Sequence, residues 1–135
     1  MTQERDNPVP KVLVVDDDPT IRDLLQRILT NEGFLVQTAD GPVSAVEILR
    51  TAMFQAVVLD IRMPGSSGEH GGGLDVLTFM RSQEALRSIP VLILTGGLLT
   101  EPEEKAILEL QAYVFNKSEG HHTLVEYLKH LTTKI

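Results

Sequence analysis

Apolar residues fall along this chain in two alternating textures. Short unbroken runs, KVLVV (11–15), FLVQTA (34–39), AVVLDI (56–61), PVLILT (90–95) and AYVFN (112–116), are mostly apolar and rich in β-branched side chains. Runs of that length and composition predict buried strands. Between them, apolar positions recur every three or four residues, the spacing of one helix face. Ile21, Leu24, Leu25, Ile28 and Leu29 form such a face; Val46 and Leu49 turn inward on a short helix over 43–50; Leu77 and Met80 do so on a helix beginning near Leu74. Leu124, Val125, Leu128 and Leu131 stripe a last helix over 123–131.

Polar residues punctuate the pattern. Asp18 before Pro19 predicts an N-cap and a first helical turn. Gly33, ending NEG, predicts a left-handed helix stop. Thr100 and Glu103, in TEPE, have the spacing of a capping box. Strand and helix thus alternate five times, and the expected fold is α/β: a doubly wound, five-stranded parallel sheet covered on both faces by five helices. Residues 1–10 are expected to form a flexible leader, 11–132 one domain and 133–135 a short tail.

Composition narrows the class. The 135 residues are 42% hydrophobic, enough for one packed core. Twelve basic against nineteen acidic residues leave a net charge of −7, which argues against direct binding to nucleic acid or a membrane surface. The absence of cysteine excludes disulfide and thiolate chemistry. The polar start MTQERDNPVP has no apolar signal core, and no apolar run approaches the roughly 20 residues that span a bilayer. A soluble, cytoplasmic protein is expected.

In parallel sheets of this kind, polar ligands sit beyond the carboxyl ends of the strands. The first strand ends in Asp16, Asp17 and Asp18, the third near Asp60, the fourth in Thr95, Gly96 and Gly97, and the fifth just before Lys117. Several carboxylates in one crevice repel one another, and a hard divalent ion with oxygen ligands, Mg²⁺ above all, relieves that repulsion. A lysine and a threonine hydroxyl beside them suit an anionic group carried on one carboxylate. The set points to phosphoryl transfer onto aspartate.

KVLVVDDDP, VVLDIRMP, PVLILTG and a lysine after the fifth strand, taken in order, resemble the receiver domain of two-component response regulators over residues 10–132. The resemblance implies a flavodoxin-like strand order 2-1-3-4-5. Position by position it implies Asp60 as phosphoacceptor. Asp16 and Asp17 match the acidic pair that holds Mg²⁺ (or Mn²⁺), Asp17 directly and Asp16 largely through water, with Asp60 and the Arg62 backbone carbonyl as the other protein ligands. Thr95 matches the hydroxyl that moves toward the phosphoryl group, Gly96 the small residue that leaves access, and Lys117 the phosphate-binding lysine. The implied donor is a sensor histidine kinase or a histidine phosphotransfer protein. The implied output is a downstream protein partner, or phosphorylation-dependent homodimerisation, through the face of the fourth helix, fifth strand and fifth helix. With the chain ending at Ile135, it reads as a stand-alone receiver or a fragment of a longer regulator.

Three departures stand out. Ser118 follows Lys117 where the family usually has a proline in a cis bond, so a trans bond is expected. Val114 occupies the usual aromatic position three residues before the lysine; Tyr113 and Phe115 point the other way by strand alternation. The connection after the third strand, RMPGSSGEHGGGLDVL, is glycine-rich and about five residues long over, around 69–73. It lacks the lysine and order of a nucleotide loop. Its glycines read as flexibility, and Glu69 and His70 as candidate lid residues. His121 and His122 read as solvated surface residues.

Three other functions compete. An aspartyl-nucleophile phosphatase places a second acid two residues after the nucleophile, but that position is Arg62, which cannot donate a proton near neutral pH. A non-phosphorylated pseudo-receiver acting as an interaction module remains open through Val114 and Ser118. A flavin site is rejected, because DDDP in the first turn repels phosphate.

Overall fold

The computed structural model describes residues 9–63 and 72–133. The elements follow in the order β1 (Lys11–Val15), α1 (Pro19–Asn31), β2 (Leu35–Ala39), α2 (Pro42–Thr51), β3 (Ala56–Asp60), α3 (Gly72–Ser82), β4 (Val91–Thr95), α4 (Glu101–Glu109), β5 (Tyr113–Asn116) and α5 (His121–Thr132), with one 3-10 turn at Lys117–Glu119. The five strands pair in parallel in the order β2-β1-β3-β4-β5. Strand alternation divides the core. Leu13, Val15, Val57, Leu59, Val91 and Ile93 pack on one face with Ala45 and Leu49 of α2, Leu74, Leu77 and Met80 of α3, and Ile107 of α4. Val12, Val14, Val58, Leu92, Leu94 and Phe115 pack on the other with α1 and α5.

The terminators act as their chemistry predicts. The Asp18 carboxylate accepts from Thr20 N–H at 2.9 Å, with Pro19 in the first turn of α1. Gly33 has φ +99°, a left-handed conformation that costs glycine little. Thr100 and Glu103 form the reciprocal capping box of α4.

Two helix starts differ by two residues, the other boundaries by at most one: α5 begins at His121, ahead of Thr123, and α3 is already helical at Gly72, ahead of Leu74. The second shift corrects the reading of the glycine-rich stretch. Gly72 and Gly73 are buried members of α3, and Gly72 N–H donates to the Met63 carbonyl at 2.7 Å. A Cβ on Gly73 would lie 2.5 Å from the Asp60 carbonyl oxygen and 2.8 Å from Ile61 Cα. Gly73 is thus required by close helix–strand packing and is not a flexible spacer.

Arg81, near the end of α3, gathers the opposite end of the molecule. Its guanidinium donates to the carbonyls of Leu110 (2.7 Å), Ile89 (2.9 Å), Arg87 (3.1 Å) and Gln111 (3.4 Å). These bonds tie the end of α4 to the connection before β4.

Candidate functional site

The register of β1 on β3 pairs Val15 with Leu59 and so brings the next residues, Asp16 and Asp60, side by side. Asp16, Asp17 and Asp60 offer carboxylate oxygens within 4.8 Å of one another. Asp16 is 1% and Asp60 5% exposed, whereas Asp17 faces solvent. Asp16 Oδ1 accepts from Asp18 N–H at 2.9 Å, and its backbone carbonyl accepts from Arg22 at 2.9 Å. Its Oδ2 is buried with no hydrogen-bond partner. Burial raises the Asp16 pKa, the Asp18 N–H opposes this, and the neighbouring Asp60 charge adds to the rise. A buried, orphaned carboxylate oxygen beside two further carboxylates fits a hard divalent cation.

The opposite side carries the cation and the hydroxyl. Lys117 Nζ lies 3.3 Å from Asp60 Oδ1. The Lys117–Ser118 bond is trans, and no cis bond occurs among the described residues. Ser118 keeps the N–H that proline lacks and donates it to Asn116 Oδ1 at 2.9 Å, capping the 3-10 turn in which Lys117 sits. Thr95 ends β4 and is buried, but its hydroxyl donates to the Gly97 carbonyl at 3.0 Å and accepts from Gly97 N–H at 3.3 Å. Gly96 is exposed, and a Cβ there would only touch the Lys117 side chain, at 3.9 Å.

The response regulator receiver domain family matches residues 12–129. The chain belongs to that family. Chemotaxis protein CheY-3 of Vibrio cholerae is 35% identical over 100 residues, 73% of this chain and 70% of that protein. Protein PetR of Rhodobacter capsulatus is 37% identical over 87 residues, 64% of this chain, and the chain spans only 33% of its length. In fold, this receiver resembles the crystal structure of response regulator protein TrrA of Thermotoga maritima in complex with Mg²⁺-BeF, with a TM-score of 0.75, 29% identity, and 91% of this chain and 99% of that chain covered.

Two features of this receiver site escaped the sequence. Gly73 is one, since its contact with Asp60 depends on how α3 lands on β3. The other is Arg62. Its side chain pairs with Glu103 and donates to the Leu98 carbonyl at 3.2 Å. Glu103 is legible as a capping residue, but nothing local announces a partner 41 positions away.

Glu69 and His70 lie outside the described residues. His121 and His122 are exposed in the first turn of α5. Val114 is half-exposed and pairs with Ile93, while Phe115 is buried in the α1/α5 layer and Tyr113 stacks edge-on against Tyr127 at 5.8 Å. No described helix is long and apolar enough to cross a membrane.

Proposed function

We propose that this receiver accepts a phosphoryl group on Asp60 from the phosphohistidine of a sensor histidine kinase or histidine phosphotransfer protein. The reaction is Mg²⁺-dependent. The observation that carries the reading is the setting of Asp60: a nearly buried carboxylate flanked by Asp16 and Asp17 on one side and by the Lys117 amine on the other. Chemically, an Asp60 oxygen attacks phosphorus, an O–P bond forms, the P–N bond breaks, and the imidazole leaves and takes a proton. Lys117 supplies positive charge to the entering phosphoryl oxygens, and Thr95 supplies a hydroxyl donor once it releases Gly97. Asp16, Asp17, Asp60 and the Arg62 backbone carbonyl would hold Mg²⁺ or Mn²⁺. Such an ion neutralises the crowded carboxylates and the phosphoryl oxygens. Gly96 leaves the approach open. The Mg²⁺-BeF complex of TrrA supports the reading, because beryllofluoride mimics a tetrahedral phosphoryl group.

The resulting mixed anhydride shifts the face of α4, β5 and α5 toward a form that binds a downstream protein or a second copy. The chain acts in the cytoplasm as a signalling phosphoacceptor and turns over no free substrate beyond its own acyl phosphate. Incubation with acetyl phosphate and Mg²⁺, followed by intact mass, is expected to add one phosphoryl group to the wild type and none to Asp60→Asn. A wild-type chain that no donor labels would instead be a pseudo-receiver.

A further inference from the structure

Beyond the carboxylates, Arg62 lies two positions after Asp60 and reaches α4. One nitrogen of its guanidinium donates to Glu103 in the first turn of α4 and another to the Leu98 carbonyl. Glu103 is only 4% exposed, and its other oxygen accepts from Thr100 N–H at 2.9 Å. Burial pushes the Glu103 carboxyl up, but its bonds to Arg62 and Thr100 outweigh burial and hold it below the usual range. At the near end of the same segment, Thr95 is hydrogen-bonded in both directions to Gly97. Residues 96–103 are therefore fastened twice, at Thr95 and at Arg62.

The two fastenings are linked. Thr95 has one hydroxyl proton, and the Gly97 carbonyl holds it. Donation to a phosphoryl oxygen on Asp60 requires release of that carbonyl and movement of Gly97. Leu98 follows directly in the chain, and its carbonyl is held by Arg62, which is anchored in turn on Glu103.

We propose that the Arg62–Glu103 ion pair is a latch that holds residues 96–103 with the Thr95 hydroxyl turned to Gly97, so that the pair opposes occupancy of the site by a phosphoryl group. The inference rests on the phosphoacceptor reading above. The Arg62 side chain is 51% exposed and can move into solvent, while that of Glu103 is 5% exposed, so opening the pair carries a cost that phosphoryl occupancy must offset. Glu103 keeps its bond to Thr100 when Arg62 leaves, so α4 keeps its cap as its first turn moves. Occupancy and latch closure are then opposed states of one equilibrium.

Two substitutions in the full chain test this. Glu103→Gln removes the charge that holds Arg62 while its amide oxygen still accepts from Thr100 N–H. Arg62→Met removes the guanidinium and keeps the backbone carbonyl. NMR titration with beryllofluoride and Mg²⁺ measures affinity, and exchange of the Gly97 amide, which donates to Thr95 Oγ1, in the free protein reports latch opening. Each variant is expected to bind beryllofluoride about five- to tenfold more tightly, with faster exchange at the Gly97 amide, and the double variant to match either single. Unchanged or weaker affinity in Glu103→Gln overturns the latch alone; should that chain fail to fold, Arg62→Met decides. A wild type that binds no beryllofluoride overturns the phosphoacceptor reading, and the latch with it.

Discussion

Asp16 and Asp60 share one end of the sheet with Lys117 and Thr95, yet the two sides are built differently. The carboxylates end β1 and β3, which lie inside the sheet, and every residue of β3 is buried. Lys117 follows β5, an edge strand whose Tyr113 and Val114 are half-exposed, and its side chain is itself 38% exposed. Thr95 is buried, but Gly96, Gly97 and Leu98 beyond it face solvent. One side presents negative charge that its surroundings hold still and keep dry. The other presents a cation beyond an edge strand and a hydroxyl at the end of buried β4, directly before solvent-facing loop backbone. A site that must concentrate charge and then respond to it benefits from that division, because desolvation strengthens electrostatics while solvated loops rearrange cheaply.

The contrast is best broken at Gly73. Alanine there cannot be accommodated without moving the backbone of Asp60 and Ile61, and overpacking of this kind costs about 1–3 kcal/mol. Urea unfolding should register the loss, and phosphoryl labelling should fall with it. Lys117→Met tests the other side. Labelling by acetyl phosphate should slow about tenfold or more, while with Mg²⁺ present the unfolding midpoint moves less than for Gly73→Ala, because the Lys117 side chain is 38% exposed and the divalent ion offsets the charge of the nearly buried Asp60. A large loss of stability there would mean that both sides are equally rigid.

Asp16→Asn tests the acidic side. In Mg²⁺-free buffer it should stabilise the chain by about 1 kcal/mol, by removing a desolvated charge with an unpartnered oxygen. The sign with pH follows from the raised Asp16 pKa. The folded state holds this proton more tightly than the unfolded chain, so wild-type stability contributed here falls as pH rises from the unfolded value, about 3.9, through the raised folded one. The asparagine variant should flatten that slope in a pH series of thermal melts, and Mg²⁺ should stabilise it less than the wild type. The smallest effect is expected from Asn116→Ala, which removes the cap of the Lys117 turn: about 0.5–1 kcal/mol, with labelling reduced only modestly. Under beryllofluoride and Mg²⁺, amide shifts over 96–105 should exceed those of the Tyr113 ring. The reverse would place the responsive element on β5.

Much of the fold was legible because its signals are local. β-branched runs, three- and four-residue apolar spacing, Asp18 before Pro19 and the Thr100–Glu103 pair are all set within a turn or two of chain, and strand ends follow from them. That logic also located Asp16, Asp60, Thr95 and Lys117 at one edge. It failed at glycines, where one residue serves opposite purposes: the local pattern cannot separate a flexible Gly73 from one pressed against β3.

By itself, then, the sequence determined the alternating strands and helices, the residues that cap them and the polar groups at the strand ends. Only the tertiary structure decided which of those groups meet. The β1–β3 register made Asp16 and Asp60 neighbours and left one Asp16 oxygen without a partner. The landing of α3 put Gly73 against the Asp60 carbonyl, and the approach of α4 gave Glu103 to Arg62. Local periodicity is written in neighbouring residues, whereas contacts across tens of residues arise only when close packing brings separate elements within van der Waals and hydrogen-bond range.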